Sequence, residues 1–315
     1  MKIYLKQLKR DIVVMGLKGF TSDTNIFEEW DLNHVEFVGN DNEFHNCANN
    51  LAEAGFYDRA CQLLEQGIEQ YPNNSDLLAD YLSFGTRCNQ SKRCDLYYMT
   101  LDSMPDRRKT WRAFTFLIDY LIYKINNEND EEKIEKIKIA ALDLVNRFKK
   151  IYPKEELAYL SEYEVFKATF DKEEGLRRLG RFLDDNNRIV KVAPKCHLCY
   201  IDEMLESGEY EKVILYACDG AAEAAQEQEG VDTGYFFYAL ALAKDALWLK
   251  SEEGNENEDK EAARTILKYY QTAYDTLDID KTSYIKMIQK RYCIISNMAG
   301  LDQKLNTWRK EYFQV

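Results

Sequence analysis

The chain has 315 residues, and its 42 basic against 55 acidic side chains leave a net charge of −13. A chain of this length exceeds what one compact core usually holds, so two domains or an extended array of repeats is expected. The negative field repels phosphate backbones and so excludes nucleic acid as a general partner, and no stretch approaches the roughly 18 apolar residues of a membrane span.

Only 4 Pro and 14 Gly punctuate the sequence. Leu, Ala, Glu and Lys recur with the i, i+3, i+4 rhythm of amphipathic helices, so few strands are expected. The first 40 residues lack a clear pattern. Leu5, Leu8, Ile12 and Met15 fall on one face of a short helix, while the stretch after Gly19 reads as irregular. Residues 1–40 are therefore expected to cap whatever follows. The basic start from Lys2 to Arg10 is followed by an apolar run, Ile12 to Met15, too short for a secretory h-region. A cytoplasmic location follows as the expectation, with the 8 Cys acting there as small hydrophobes.

The clearest unit starts at Glu43: EFHNCANNLAEAGFYDRACQLLEQGIEQYPNN. Phe44 is a large anchor, Cys47, Ala48 and Leu51 continue its apolar face, Gly55 turns the chain, and Tyr57 starts a second helix. Small residues at Ala48, Ala60 and Gly67 let two antiparallel helices approach closely, and Pro72 stops the second one. This unit resembles a tetratricopeptide repeat. A second match begins near Lys195, where His197, Tyr200, Ile201, Met204, Gly208, Tyr210, Val213, Ala217 and Gly220 occupy the same places. The interval from Gly55 to Gly67 equals that from Gly208 to Gly220.

Weaker pairs fill the remainder. One opens at Leu78, Tyr81 and Leu82 and ends near Pro105. The next opens at Trp111, Phe114 and Ile118, turns in the polar run 126–132, and ends at Pro153. Residues 155–193 form a degenerate pair of uncertain register. Tyr235 to Lys250 pairs with Glu261 to Leu277 across the polar run 251–260, which reads as a loop, and a last pair spans Ser283 to Ala299 and Leu301 to Phe313. The resemblance implies an all-α fold, a right-handed superhelical solenoid of about seven helical pairs over 41–315.

Candidates for chemistry are few. Cys196-His197-Leu198-Cys199 offers three metal-ligand types, but on a helix His197 and Cys199 point to different sides, so packing is expected and no metal. His34, His45 and His197 are the available imidazoles, and none sits in a nucleophile signature, so no catalytic residue is expected. Gly16-Leu17-Lys18-Gly19 is not a phosphate-cradling loop, and no cofactor is expected. Residues 147–195 carry 12 basic and 9 acidic side chains. With Arg177, Arg178, Arg181, Arg188 and Lys191 this stretch is a solvated face or a surface for an acidic peptide.

In the family the first helix of each pair lines a concave groove. Carried over, that places Asn42, His45, Asn49 and Ala52, then Asp76, Ala79 and Ser83, then Lys109, Arg112, Phe116 and Asp119 on the groove. Some members clamp a partner's terminal carboxylate there. Asn49 and Lys109 match that clamp, whereas His45, Asp80 and Ala113 take its other places, and an aspartate repels a carboxylate. The binding residues expected are Asn42, His45, Asn49, Ser83, Lys109, Arg112 and Phe116, holding a protein or peptide segment as a scaffold or adaptor. The alternatives are a peptide-responsive regulator acting through a separate subunit, and an enzyme with an unrecognised site.

Overall fold

The computed structural model describes residues 2–5, 36–88, 90–185, 194–226, 233–250, 256–277 and 282–298. They form thirteen α-helices, a short 3-10 helix (Asp106–Arg108) and two short strands, and divide into two compact units, Met1–Arg177 and Arg178–Val315.

In the first unit, β1 (Lys2–Tyr4) pairs in parallel with β2 (Glu36–Val38). Two strands of three residues each agree with the expectation of few strands in an all-α fold, and Leu8, Ile12 and Met15 lie outside the described residues. The pair is bound to the first hairpin. Phe37 N donates to Gln66 Oε1 at 2.9 Å, Gln70 Nε2 donates to Phe37 O at 3.2 Å, and Leu5 is fully buried.

The helix α1 (Asp41–Glu53) begins with a capping box: Asn40 accepts from Glu43 N, and the Glu43 carboxylate accepts from Asn40 N. Gly55 turns the chain at φ +87°, and α2 (Tyr57–Gln70) ends at Tyr71, immediately before Pro72. A Cβ on Gly67 would come within 2.9 Å of the Phe44 ring, which is why that position must stay bare. Side-chain caps also start α3 (Ser75–Gly85) at Asn74, α5 (Trp111–Asn126) at Thr110 and α6 (Glu131–Ile151) at Asp130. The helix α4 (Ser91–Ser103) lies between them, and α7 (Glu156–Ala168) and α8 (Lys172–Asp185) follow Pro153.

The turn between α7 and α8 settles the register that the sequence left open. Phe170 has φ +59°, the left-handed conformation that Gly55 and Gly208 adopt in their turns. Aligned on that turn, Gly175 takes the place of Ala60, and a Cβ there would meet Phe166 at 2.8 Å. The first helices α1, α3, α5 and α7 pack in series, each next to the following one. Their buried faces and those of α2, α4 and α6 form one core around Phe44, Tyr81, Phe114 and Phe148.

The second unit holds α9 (Pro194–Glu206), α10 (Tyr210–Gln226), α11 (Thr233–Lys250), α12 (Glu256–Thr276) and α13 (Thr282–Met298). Its core gathers Ile201, Val213, Tyr235, Tyr270 and Ile288. The expected loop at 251–260 is shorter than the sequence suggests, because helix already runs from Glu256. A packed helix extends into a polar run at little cost, since propagation needs no new nucleus. The expected final helix at 301–313 lies outside the described residues.

Candidate binding groove

Three successive first helices meet in one polar cluster. His45 on α1 places Nδ1 2.5 Å from Asp80 Oδ2 on α3, and Arg112 on α5 donates from Nη2 to Asp80 Oδ1 at 2.8 Å. Arg112 Nη1 stands 2.9 Å from His45 Nε2. A guanidinium only donates, so Nε2 is the acceptor, and the proton of a neutral imidazole lies on Nδ1, which donates to Asp80. The ring of three is closed, with each Asp80 oxygen engaged.

The Asp80 side chain is 1% exposed, while those of His45 and Arg112 are 22% and 27% exposed. The cluster therefore has its anion below and its donors at the surface. Burial pushes the Asp80 carboxyl above its ordinary value, against the pull of the His45 hydrogen bond and the Arg112 charge. Asn49 Nδ2 donates to His45 O at 2.9 Å, and the Arg112 guanidinium lies 5.5 Å over the Phe116 ring.

The expected groove residues separate on inspection. Asn42 is exposed, and His45, Asn49, Ser83, Arg112 and Phe116 are partly exposed. Lys109 belongs elsewhere. Its side chain is fully buried, and Nζ donates to Asp102 O, Met104 O and Asp106 Oδ1, tying together the loop that joins α4 to α5. A buried ammonium needs such partners, so its match to the carboxylate clamp is one of position and not of role. Ala52 and Ala79 are likewise core residues, and Asp76 accepts a hydrogen bond from Thr110 Oγ1 at 2.5 Å.

Asp119 is solvent-accessible, yet the surrounding protein displaces enough water, with the Glu164 carboxylate adding repulsion, to raise its carboxyl to about 6. Sequence reasoning missed the Asp80 cluster as a unit. Its members are 32 to 67 residues apart, and only the helical template places them on neighbouring helices.

Other candidates resolve into packing. His197 is buried, its Nδ1 is bonded to Tyr216 Oη, and burial lowers its pKa to about 4. Cys196 is also buried, and among the described residues no group of three His, Cys, Asp or Glu side chains is arranged to hold a metal. Burial lifts the Cys88 and Cys94 thiols to about 11 and Cys61 further still, so these thiols are protonated at neutral pH. Within the basic stretch, Arg147 pairs with Asp102 and Asp106, and Arg177 with Glu174. Arg188 and Lys191 lie outside the described residues. No helix among the described residues is long and apolar enough to cross a membrane.

Glycine-turned helical hairpins, closed by small residues and stacked in the first unit through their first helices, give an all-α helical-repeat fold that resembles tetratricopeptide hairpins. No family model matches the chain, and no curated protein is significantly similar to it. Among solved structures, it is similar to a thermophilic tetratricopeptide repeat protein of Thermus thermophilus. That match has 14% identity and a TM-score of 0.46, covering 60% of this chain and 93% of the other.

Proposed function

We propose that the unit Met1–Arg177 is a scaffold that holds a protein or peptide segment along the row α1, α3, α5 and α7. The observation that carries this reading is the His45–Asp80–Arg112 cluster, drawn from three consecutive first helices, with polar and aromatic side chains around it. Asn42, His45, Asn49, Ser83, Arg112 and Phe116 form the proposed contact surface. Preorganised amides, an aromatic ring and a stacked arginine are what an interface uses for anchoring and orientation.

The role is binding without turnover. In support, the groove-facing imidazole of His45 has its Nε2 lone pair committed to Arg112, and the Cys61, Cys88 and Cys94 thiols are held protonated. Residues 1–40 act as a cap on the first hairpin, supported by the burial of Leu5 and by the hydrogen bonds of Phe37 to α2.

The test is a pull-down from the native cell extract. Wild type is compared with an Asn49→Ala, Ser83→Arg variant whose thermal melt shows an intact fold. A protein kept by the wild type and lost by the variant upholds the groove. Equal retention by both moves the binding surface elsewhere, and retention of nothing by either removes the scaffold reading.

A further inference from the structure

His45 and Arg112 converge on one carboxylate, and the chain itself supplies it. Asp80 lies on α3 between the helices that carry its donors, is 1% exposed, and has one oxygen on His45 Nδ1 and the other on Arg112 Nη2. The two donors are also bonded to each other, so their geometry toward the carboxylate is held independently of any partner. One aspartate and one guanidinium cancel in charge, and the imidazole is neutral.

We propose that Asp80 is the specificity-determining residue of the groove: a built-in occupant of a carboxylate seat made by His45 and Arg112, which refuses a partner's carboxylate at this point. A second anion beside Asp80 would find the His45 Nδ1 proton and the Arg112 N–H that faces this seat taken, and would meet the Asp80 carboxylate at close range. Remove the Asp80 carboxyl, and the same two donors are left without their acceptor around a space of carboxylate size, which a small carboxylate can fill. The consequence for partner choice rests on the groove reading above. The seat itself can be tested on the full chain without any partner.

The probe is formate, the smallest carboxylate, compared with chloride at equal ionic strength. Thermal melts are recorded for wild type, Asp80→Ala, and the double variant Asp80→Ala, Arg112→Leu. The expected result is a saturable, formate-specific rise in melting temperature of about 3 °C at roughly tenfold excess over the dissociation constant. It appears in Asp80→Ala alone. An equal response from the wild type, or none from Asp80→Ala, overturns the proposal. Should Asp80→Ala not fold in chloride, it is refolded from urea in formate: folding there upholds the seat, and failure in both salts overturns it. A pull-down that fails while formate rescues, or the reverse, separates this inference from the scaffold reading.

Discussion

Among the described residues, each unit buries an aspartate on a first helix and satisfies it with an arginine from another, but the two wirings differ. In the first unit Asp80 reaches His45 and Arg112, both on neighbouring first helices, so the cluster belongs to one row and its donors meet solvent. In the second unit Asp245 on α11 takes two hydrogen bonds of 2.7 Å from Arg291 on α13 and one of 3.1 Å from Tyr270 on α12. Asp245 thereby binds its own hairpin partner as well as the next helix. In both places a buried aspartate meets a partly exposed arginine, and the third donor differs: a partly exposed imidazole in one, a buried phenol in the other.

The largest way to break this comparison is to remove the acids. Asp245→Ala strands a bidentate guanidinium and a buried phenol, and is expected to cost about 3 to 5 kcal/mol in urea unfolding. Asp80→Ala is expected to cost less, about 2 kcal/mol, because burial already disfavours the Asp80 anion and its loss strands no buried hydroxyl like that of Tyr270. Equal losses would mean that the two clusters do the same structural work.

Acid should find the second unit first. The His197 pKa falls from 6.5 to about 4 on folding, so the unfolded chain takes up the proton more readily. Stability is then complete above pH 6.5 and declines as pH falls toward 4, by about 3 kcal/mol. In His197→Phe that part of the pH dependence disappears, read by thermal melts from pH 8 to 4.

Asp119 should show the opposite sign in the first unit. Its folded value of about 6 lies above the ordinary 3.8, so its contribution is most favourable below pH 3.8 and is lost as pH rises through 6. Asp119→Asn is expected to stabilise the protein at pH 7.5 by about 1 kcal/mol, a figure reduced for solvent exposure. The gain should vanish near pH 3.5.

The smallest effect concerns the turns. Phe170 is 95% exposed at φ +59°, where its counterparts in the two strongest repeats are glycines. Phe170→Gly should gain about 0.5 to 1 kcal/mol by relieving the left-handed backbone, and Gly55→Ala should lose a similar amount. If Phe170→Gly is neutral, local strain in this turn is negligible.

The first hairpin was legible because its punctuation is local. Gly55 must turn, Pro72 must stop, and Gly67 must stay bare against Phe44, each a requirement imposed within one helical pair. The pair at 155–193 was hard to register for the same reason reversed: Phe170 holds the glycine conformation without being glycine. The candidate site was legible by position and obscure by state. Sequence placed His45, Asn49, Ser83, Arg112 and Phe116 on one face, and it equally placed Lys109, Ala52 and Ala79 there, which the structure buries.

The sequence by itself determined the helices, most of their ends and the hairpin architecture, because periodicity, caps and turn residues act over a few residues of chain. The tertiary structure alone decided which groove positions face solvent, that Lys109 serves its own loop, and that Asp80 sits between His45 and Arg112. Those outcomes depend on burial and on donors tens of residues away, and electrostatics between such groups exists only once the helices are stacked.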